Sequence, residues 1–224
     1  MKNKEKEKNC YSVKIIIVGN QSVGKTNIAL RFVHGKFADK YKTTLGVDFL
    51  TYNLEYKDKI FKLSLMDTAG SEKFLSITRG YFVNCSFALV VYDITDQDSF
   101  NSIRKWIEDC QQFGNANIHM TLIGNKSDLI NERKINTEEG KNLATEYNMD
   151  FFETSAKTGD NIENVFKELC RFLSDNIDEG KYDFDQTSSG IKIVEEKEDI
   201  NINKSFNENI NLANNNAHRR KCCK

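Results

Sequence analysis

From Val13 onward the chain falls into short β-branched runs, each followed by a stretch in which apolar residues recur at helical spacing. Val13–Val18 is the first run; Phe87–Asp93, His119–Asn125 and Phe151–Thr154 follow, and their length and branching predict strands. Phe100, Ile103, Trp106, Ile107, Cys110 and Phe113 share one helical face, as do Ile162, Val165, Phe166, Leu169, Phe172 and Leu173. Asn136 with Glu139, and Asp160 with Glu163, have the spacing of capping boxes at helix starts. Alternating strands and helices predict βα units on a mostly parallel sheet. One pair differs: Asp48–Glu55 and Lys59–Asp67 are separated only by Tyr56-Lys57-Asp58, too short for a crossover, and predict an antiparallel hairpin. The expected fold class is therefore α/β, a six-stranded mixed sheet with five parallel strands and one antiparallel strand, flanked by about five helices.

The pattern fades at both ends. Residues 1–10 alternate Lys with Glu and Asn and read as a flexible tail. Residues 11–176 form the expected domain. Residues 177–224 turn to Asn, Glu, Lys and Ser with scattered isoleucines and read as largely disordered, with at most a short helix around Ile191–Asp199. Composition then narrows the classes. Hydrophobic residues at 39% suffice for a core, and a formal net charge of -1 argues against nucleic acid as a partner. No apolar run approaches the roughly 18 to 20 residues of a membrane span. The N-terminus lacks the apolar stretch of a signal peptide and the glycine of a myristoylation site. A reducing, cytosolic compartment is expected, with the six cysteines as thiols. The isolated His34 and His119 read as structural, and Trp106 as core.

Gly19-Asn20-Gln21-Ser22-Val23-Gly24-Lys25-Thr26 is a full G-x-x-x-x-G-K-T match that leaves a strand and opens a helix at about Lys25–His34. Glycines permit the tight turn that aims successive N–H groups at one phosphate cluster. Lys25 sets a cation against the β- and γ-phosphates, the Thr26 hydroxyl can ligate Mg²⁺, and the helix offers its positive end. At this point the nucleotide is either ATP or GTP.

Asn125-Lys126-Ser127-Asp128 ends a predicted strand. An aspartate there can accept from both N1–H and the exocyclic amine of guanine, whereas adenine would leave the carboxylate unpaired. Ser155-Ala156-Lys157, after the last strand, can supply a backbone N–H to the guanine oxygen. Asp67-Thr68-Ala69-Gly70 closes the hairpin: Asp67 can hold Mg²⁺ through water, and the Gly70 N–H can reach the γ-phosphate. Thr44 lies on the loop before the hairpin. If Thr44 and Gly70 both touch the γ-phosphate, hydrolysis releases two loops together.

These motifs, in this order and spacing, resemble the Ras-like P-loop GTPases over about residues 11–176. Leu45-Gly46-Val47-Asp48-Phe49, Tyr81-Phe82 and the terminal cysteines make the chain similar to a Rab. The resemblance implies GTP and GDP as ligands with Mg²⁺ held by Thr26, Thr44 and, through water, Asp67. It implies Gln21, Ser22, Val23, Gly24, Lys25, Thr26 and Asn27 around the phosphates, with Phe37 on the base and Tyr41 nearby. Asn125, Lys126, Asp128, Ser155, Ala156 and Lys157 would complete the base site. Lys25, Gly70 and the residue at position 71 would carry the reaction, and Leu45, Gly46, Phe49, Met66 and Tyr81 would form part of an effector-reading surface. It also implies a monomer that works with an exchange factor, a GTPase-activating protein, an escort protein or GDP dissociation inhibitor, and effectors.

Ser71 stands where Rabs usually carry the glutamine that orients the attacking water; its hydroxyl stops roughly 3 Å short. Slow intrinsic hydrolysis is expected, the alternative being a GTP-dependent binding module that does not hydrolyse. Met66 replaces the tryptophan the family prefers, which bears on partner identity, and Gln21 gives a faint lean towards the Golgi. The ending His218-Arg219-Arg220-Lys221-Cys222-Cys223-Lys224 is similar to the Cys-Cys-X ends of Rabs, which receive two geranylgeranyl chains. Two lipids beside Arg and Lys would hold the protein at the cytoplasmic face of intracellular membranes, cycling with the cytosol. A plain basic tail or a zinc-ligand pair is the other reading of Cys222 and Cys223.

Overall fold

The computed structural model describes residues 8–38, 44, 46–70, 80–115, 117–182, 184 and 190–194. The strands are β1 (Asn9–Val18), β2 (Val47–Tyr56), β3 (Lys59–Thr68), β4 (Phe87–Asp93), β5 (His119–Asn125), β6 (Asp150–Thr154) and β7 (Ile191–Val194). The helices are α1 (Lys25–His34), α2 (Gln97–Asn101), α3 (Ile103–Phe113), α4 (Thr137–Glu146) and α5 (Ile162–Asp178). The main sheet runs β2-β3-β1-β4-β5-β6. β2 and β3 form the expected antiparallel hairpin; β3, β1, β4, β5 and β6 are parallel. The predicted six-stranded mixed sheet is thus present.

Alternation along β1 separates two cores, since successive side chains of a strand point to opposite faces. Val13, Ile15 and Ile17 join Ile28, Phe32, Phe166 and Leu169 in one cluster. Ile16 and Val18 join Trp106, Ile107 and Leu143 in the other. The C-terminal ends of the parallel strands collect on one rim, where an open α/β sheet presents its loops to ligands.

One expectation holds and two change. Asn136 and Glu139 do form the capping box of α4, each side chain bonded to the other's N–H at 2.9 Å. Asp160 and Glu163 do not cap α5. Its N-cap is Asn161, in the left-handed conformation (φ 55°), so the helix starts one residue late for that spacing. The tail is also more ordered than its composition suggested. β1 begins inside the predicted N-terminal tail and runs past the start of β4, leaving Cys10–Val13 with an open edge beside it. β7 fills that edge, pairing antiparallel from Cys10↔Val194 to Val13↔Ile191. Ile191 is buried there, and Tyr182 and Phe184 pack against the first core cluster. The segment is a strand where the sequence allowed at most a helix, and the folded unit extends beyond residue 176.

Candidate functional site

The turn after β1 leads directly into α1, whose N-cap Gly24 is left-handed (φ 101°). A Cβ there would lie 2.3 Å from Asn125 Nδ2, so the position demands glycine both for its backbone and for its neighbour. Lys25, the first residue of the helix, is buried, and its Nζ donates to the carbonyls of Gly19 and Asn20, both at 2.8 Å. Burial pushes its pKa down to about 8 against the opposing attraction of Asp67.

Beside it lies an oxygen cradle. Thr26 Oγ1 donates to Asp67 Oδ2 at 2.5 Å and lies 3.0 Å from Thr44 Oγ1, which reaches the same carboxylate oxygen at 3.4 Å. Asp67 is fully buried; desolvation raises its pKa, opposed by the Thr26 hydrogen bond and by Lys25. Its other oxygen, Oδ1, has no partner among the described residues. An unpaired buried carboxylate oxygen is costly, and one carboxylate with two hydroxyls is a hard-oxygen set that suits Mg²⁺. The donor set therefore fits the expected cation. Gly70 approaches the phosphate loop face on: a Cβ on it would lie 2.4 Å from the Asn20 carbonyl carbon and from Gln21 N.

The base-side motifs converge as well. Ser155 Oγ donates to Asp128 Oδ1 at 2.6 Å, leaving the carboxylate half-exposed. Lys126 takes a left-handed backbone (φ 67°) and pairs with Asp93 at 2.6 Å. Asn125 is turned inward. Its Nδ2 donates to Val23 O at 2.8 Å, and its Oδ1 accepts from Thr154 Oγ1 and from Ala156 N, both at 3.2 Å. Asn125 thus braces the phosphate loop against the loop after β6, and of the N–H groups that Ser155-Ala156-Lys157 could offer to guanine, that of Ala156 is engaged on it. Asn27 clips the chain beyond α1, exchanging hydrogen bonds with the backbone of Ala38, next to the half-buried Phe37.

Several residues here carry no sequence signature. Arg31 donates through Nε to Ala156 O at 2.7 Å and through its two terminal nitrogens to Lys157 O and Gly35 O. It fastens the Ser155–Lys157 loop to α1. Trp106 and Ser102 hold Asn20. Away from the site, Phe49 is 56% exposed and meets Tyr81 edge-on at 5.6 Å, with Gly46 half-buried nearby in sequence. Met66 is only 4% exposed, in the core cluster that holds Phe82, because β3 turns it inward. It is core, not part of an exposed reading surface. Ser71, Tyr41, Leu45, Cys222 and Cys223 lie outside the described residues.

A strand, a glycine-turned loop and a helix around a buried lysine, with a Thr–Asp oxygen cradle alongside, define a phosphate-loop nucleotide-binding domain. Residues 14–175, more than two thirds of the chain, match the Ras family, and the chain belongs to that family. It is accordingly a GTP-binding switch GTPase. Its ligands are GTP and GDP, generally with Mg²⁺, and proteins of this kind work with exchange factors, activating proteins and effectors.

Proposed function

We propose that the protein is a Rab-type switch: its GTP state recruits effectors in vesicle traffic, and Cys222 and Cys223 carry two geranylgeranyl groups that hold it to intracellular membranes. The observation that carries the reading is the contact between the exposed Phe49 and the half-buried Tyr81. Phe49 lies on the strand that begins just after Gly46, and its cross-strand partner Met66 immediately precedes Asp67 of the oxygen cradle. An apolar aromatic surface coupled to the γ-phosphate side of the site suits a partner that reads the nucleotide state. Trafficking itself rests on the likeness to Rabs.

When bound, Mg²⁺ would neutralise developing phosphate charge, with Thr26 and Thr44 as direct ligands and Asp67 acting through water. Lys25 would hold the β- and γ-phosphates, Gly70 N–H would donate to the γ-phosphate, and Asp128 would select guanine. Water attacks the γ-phosphate, and Ser71 leaves that water poorly oriented, so intrinsic hydrolysis is slow. A binding module without hydrolysis is the second reading, favoured by the same Ser71.

Among the described residues no helix is long and apolar enough to cross a membrane, so the lipids would be the anchor. Cys222→Ser/Cys223→Ser expressed in cells moves the protein from the membrane pellet to the supernatant. Unchanged pelleting would contradict the lipid anchor.

A further inference from the structure

Asn20, inside the phosphate loop, is gripped from outside it. Its Oδ1 accepts the indole N–H of Trp106 at 2.8 Å, and its Nδ2 donates to Ser102 Oγ at 3.0 Å. The two partners impose opposite requirements, so the amide has one orientation and cannot flip. Both supports are themselves held. Ser102 joins α2 to α3 and donates its hydroxyl to Asp98 O at 2.8 Å; Trp106 is buried in the second core cluster. On its backbone side, the Asn20 carbonyl accepts from Lys25 Nζ. The Asn20–Gln21 peptide is also the surface on which Gly70 rests, so closely that no Cβ would fit.

The geometry points to Asn20 as a positioning residue for the γ-phosphate half of the site: Trp106 and Ser102 fix the peptide that sets both the Lys25 ammonium and the Gly70 N–H. This rests on the reading of Gly70 as a γ-phosphate group and of Lys25 as one that meets both the β- and the γ-phosphate. Without the side-chain grip, the peptide gains rotational freedom and both donors lose their common floor. GDP loses only the β-phosphate part of the Lys25 contact and keeps the N–H groups further along the loop, so it is less affected than GTP. Loss of two neutral hydrogen bonds of ordinary strength corresponds to roughly a tenfold effect.

Trp106 is the chain's only tryptophan, so its emission reads the contact directly. The experiment compares wild type, Asn20→Ala and Ser102→Ala, each loaded with Mg²⁺ and either GDP or a non-hydrolysable GTP analogue. Wild type shows different Trp106 emission in the two loaded states. Asn20→Ala abolishes that difference, slows single-turnover GTP hydrolysis about tenfold and leaves GDP dissociation within about twofold; Ser102→Ala falls between them. The proposal is overturned if wild type shows no emission difference, or if Asn20→Ala matches wild type. It is overturned too if Asn20→Ala loses GDP as fast as it loses hydrolysis, which is the mark of a merely structural bond. Should Asn20→Ala fail to fold, Ser102→Ala carries the same comparison. Wild type that hydrolyses nothing would contradict the hydrolysis reading alone, because the emission difference would still report the grip.

Discussion

Burying the Lys25 ammonium among backbone carbonyls costs hydration, and that cost sets a pH dependence. Its pKa falls from 10.5 to about 8 in the folded protein. Below about pH 8 the lysine is charged in both folded and unfolded chains, and the penalty of burying the charge is present in full. Between about 8 and 10.5 only the unfolded chain holds the proton, so stability rises with pH across that window, by at most about 3 kcal/mol. Phosphate oxygens beside the lysine favour its charged form, so nucleotide binding above pH 8 takes up a proton. Calorimetry of GDP binding in two buffers of different ionisation enthalpy should show close to one proton taken up at pH 9 and none at pH 7. Equal uptake at the two pH values would remove Lys25 from the phosphate site. The motifs exposed Lys25, Thr26, Asp67 and Asp128 because each is tied to a short local pattern. They could not expose Asn20, Trp106 or Arg31, whose partners lie 82 to 126 positions away in sequence. Met66 was placed on a reading surface by the resemblance alone; here the second core cluster covers that face of β3.

At the level of elements, α1 does more than present its N-terminus. Its last turn carries Arg31, whose guanidinium holds two carbonyls of the loop after β6. Charge-assisted bonds of this kind contribute about 1.5–3 kcal/mol. Arg31→Ala should therefore speed GDP dissociation by at least about tenfold, measured by displacement of a fluorescent GDP analogue, while Arg31→Lys recovers only part of it because one ammonium cannot span both carbonyls. Dissociation at the wild-type rate in both variants would mean the loop does not gate the base. β4 and β5 were legible to the residue because their short, largely apolar runs end at Asp93 and Asn125. The start of α5 was not, because Gly159 and Asn161, both at positive φ, turn the chain in a way that residue spacing does not encode.

For the whole molecule, the unexpected feature is that part of the polar C-terminal segment belongs to the sheet. The isoleucines near residue 191 looked scattered because the pattern that receives them, the open edge of β1, lies at the other end of the chain. Burial pushes the Tyr182 hydroxyl up to about 12, in keeping with a packed segment. Burying Ile191 and the rings of Tyr182 and Phe184 is worth about 2–4 kcal/mol. A chain ending at Gly180 should melt roughly 5–10 °C lower than one ending at Val194. Identical melting would show that the strap contributes nothing. If the terminal cysteines carry lipids, the strand β7 stands between the end of α5 and them.

The most direct test of the account is single-turnover hydrolysis by purified protein loaded with Mg²⁺ and GTP, alone, with a catalytic Rab-activating domain, and as Ser71→Gln. Slow turnover alone, strong stimulation by the activating domain and faster intrinsic turnover in Ser71→Gln are the predicted results. No turnover under any of these conditions would contradict the switch cycle and leave nucleotide exchange as the step that controls the protein's state.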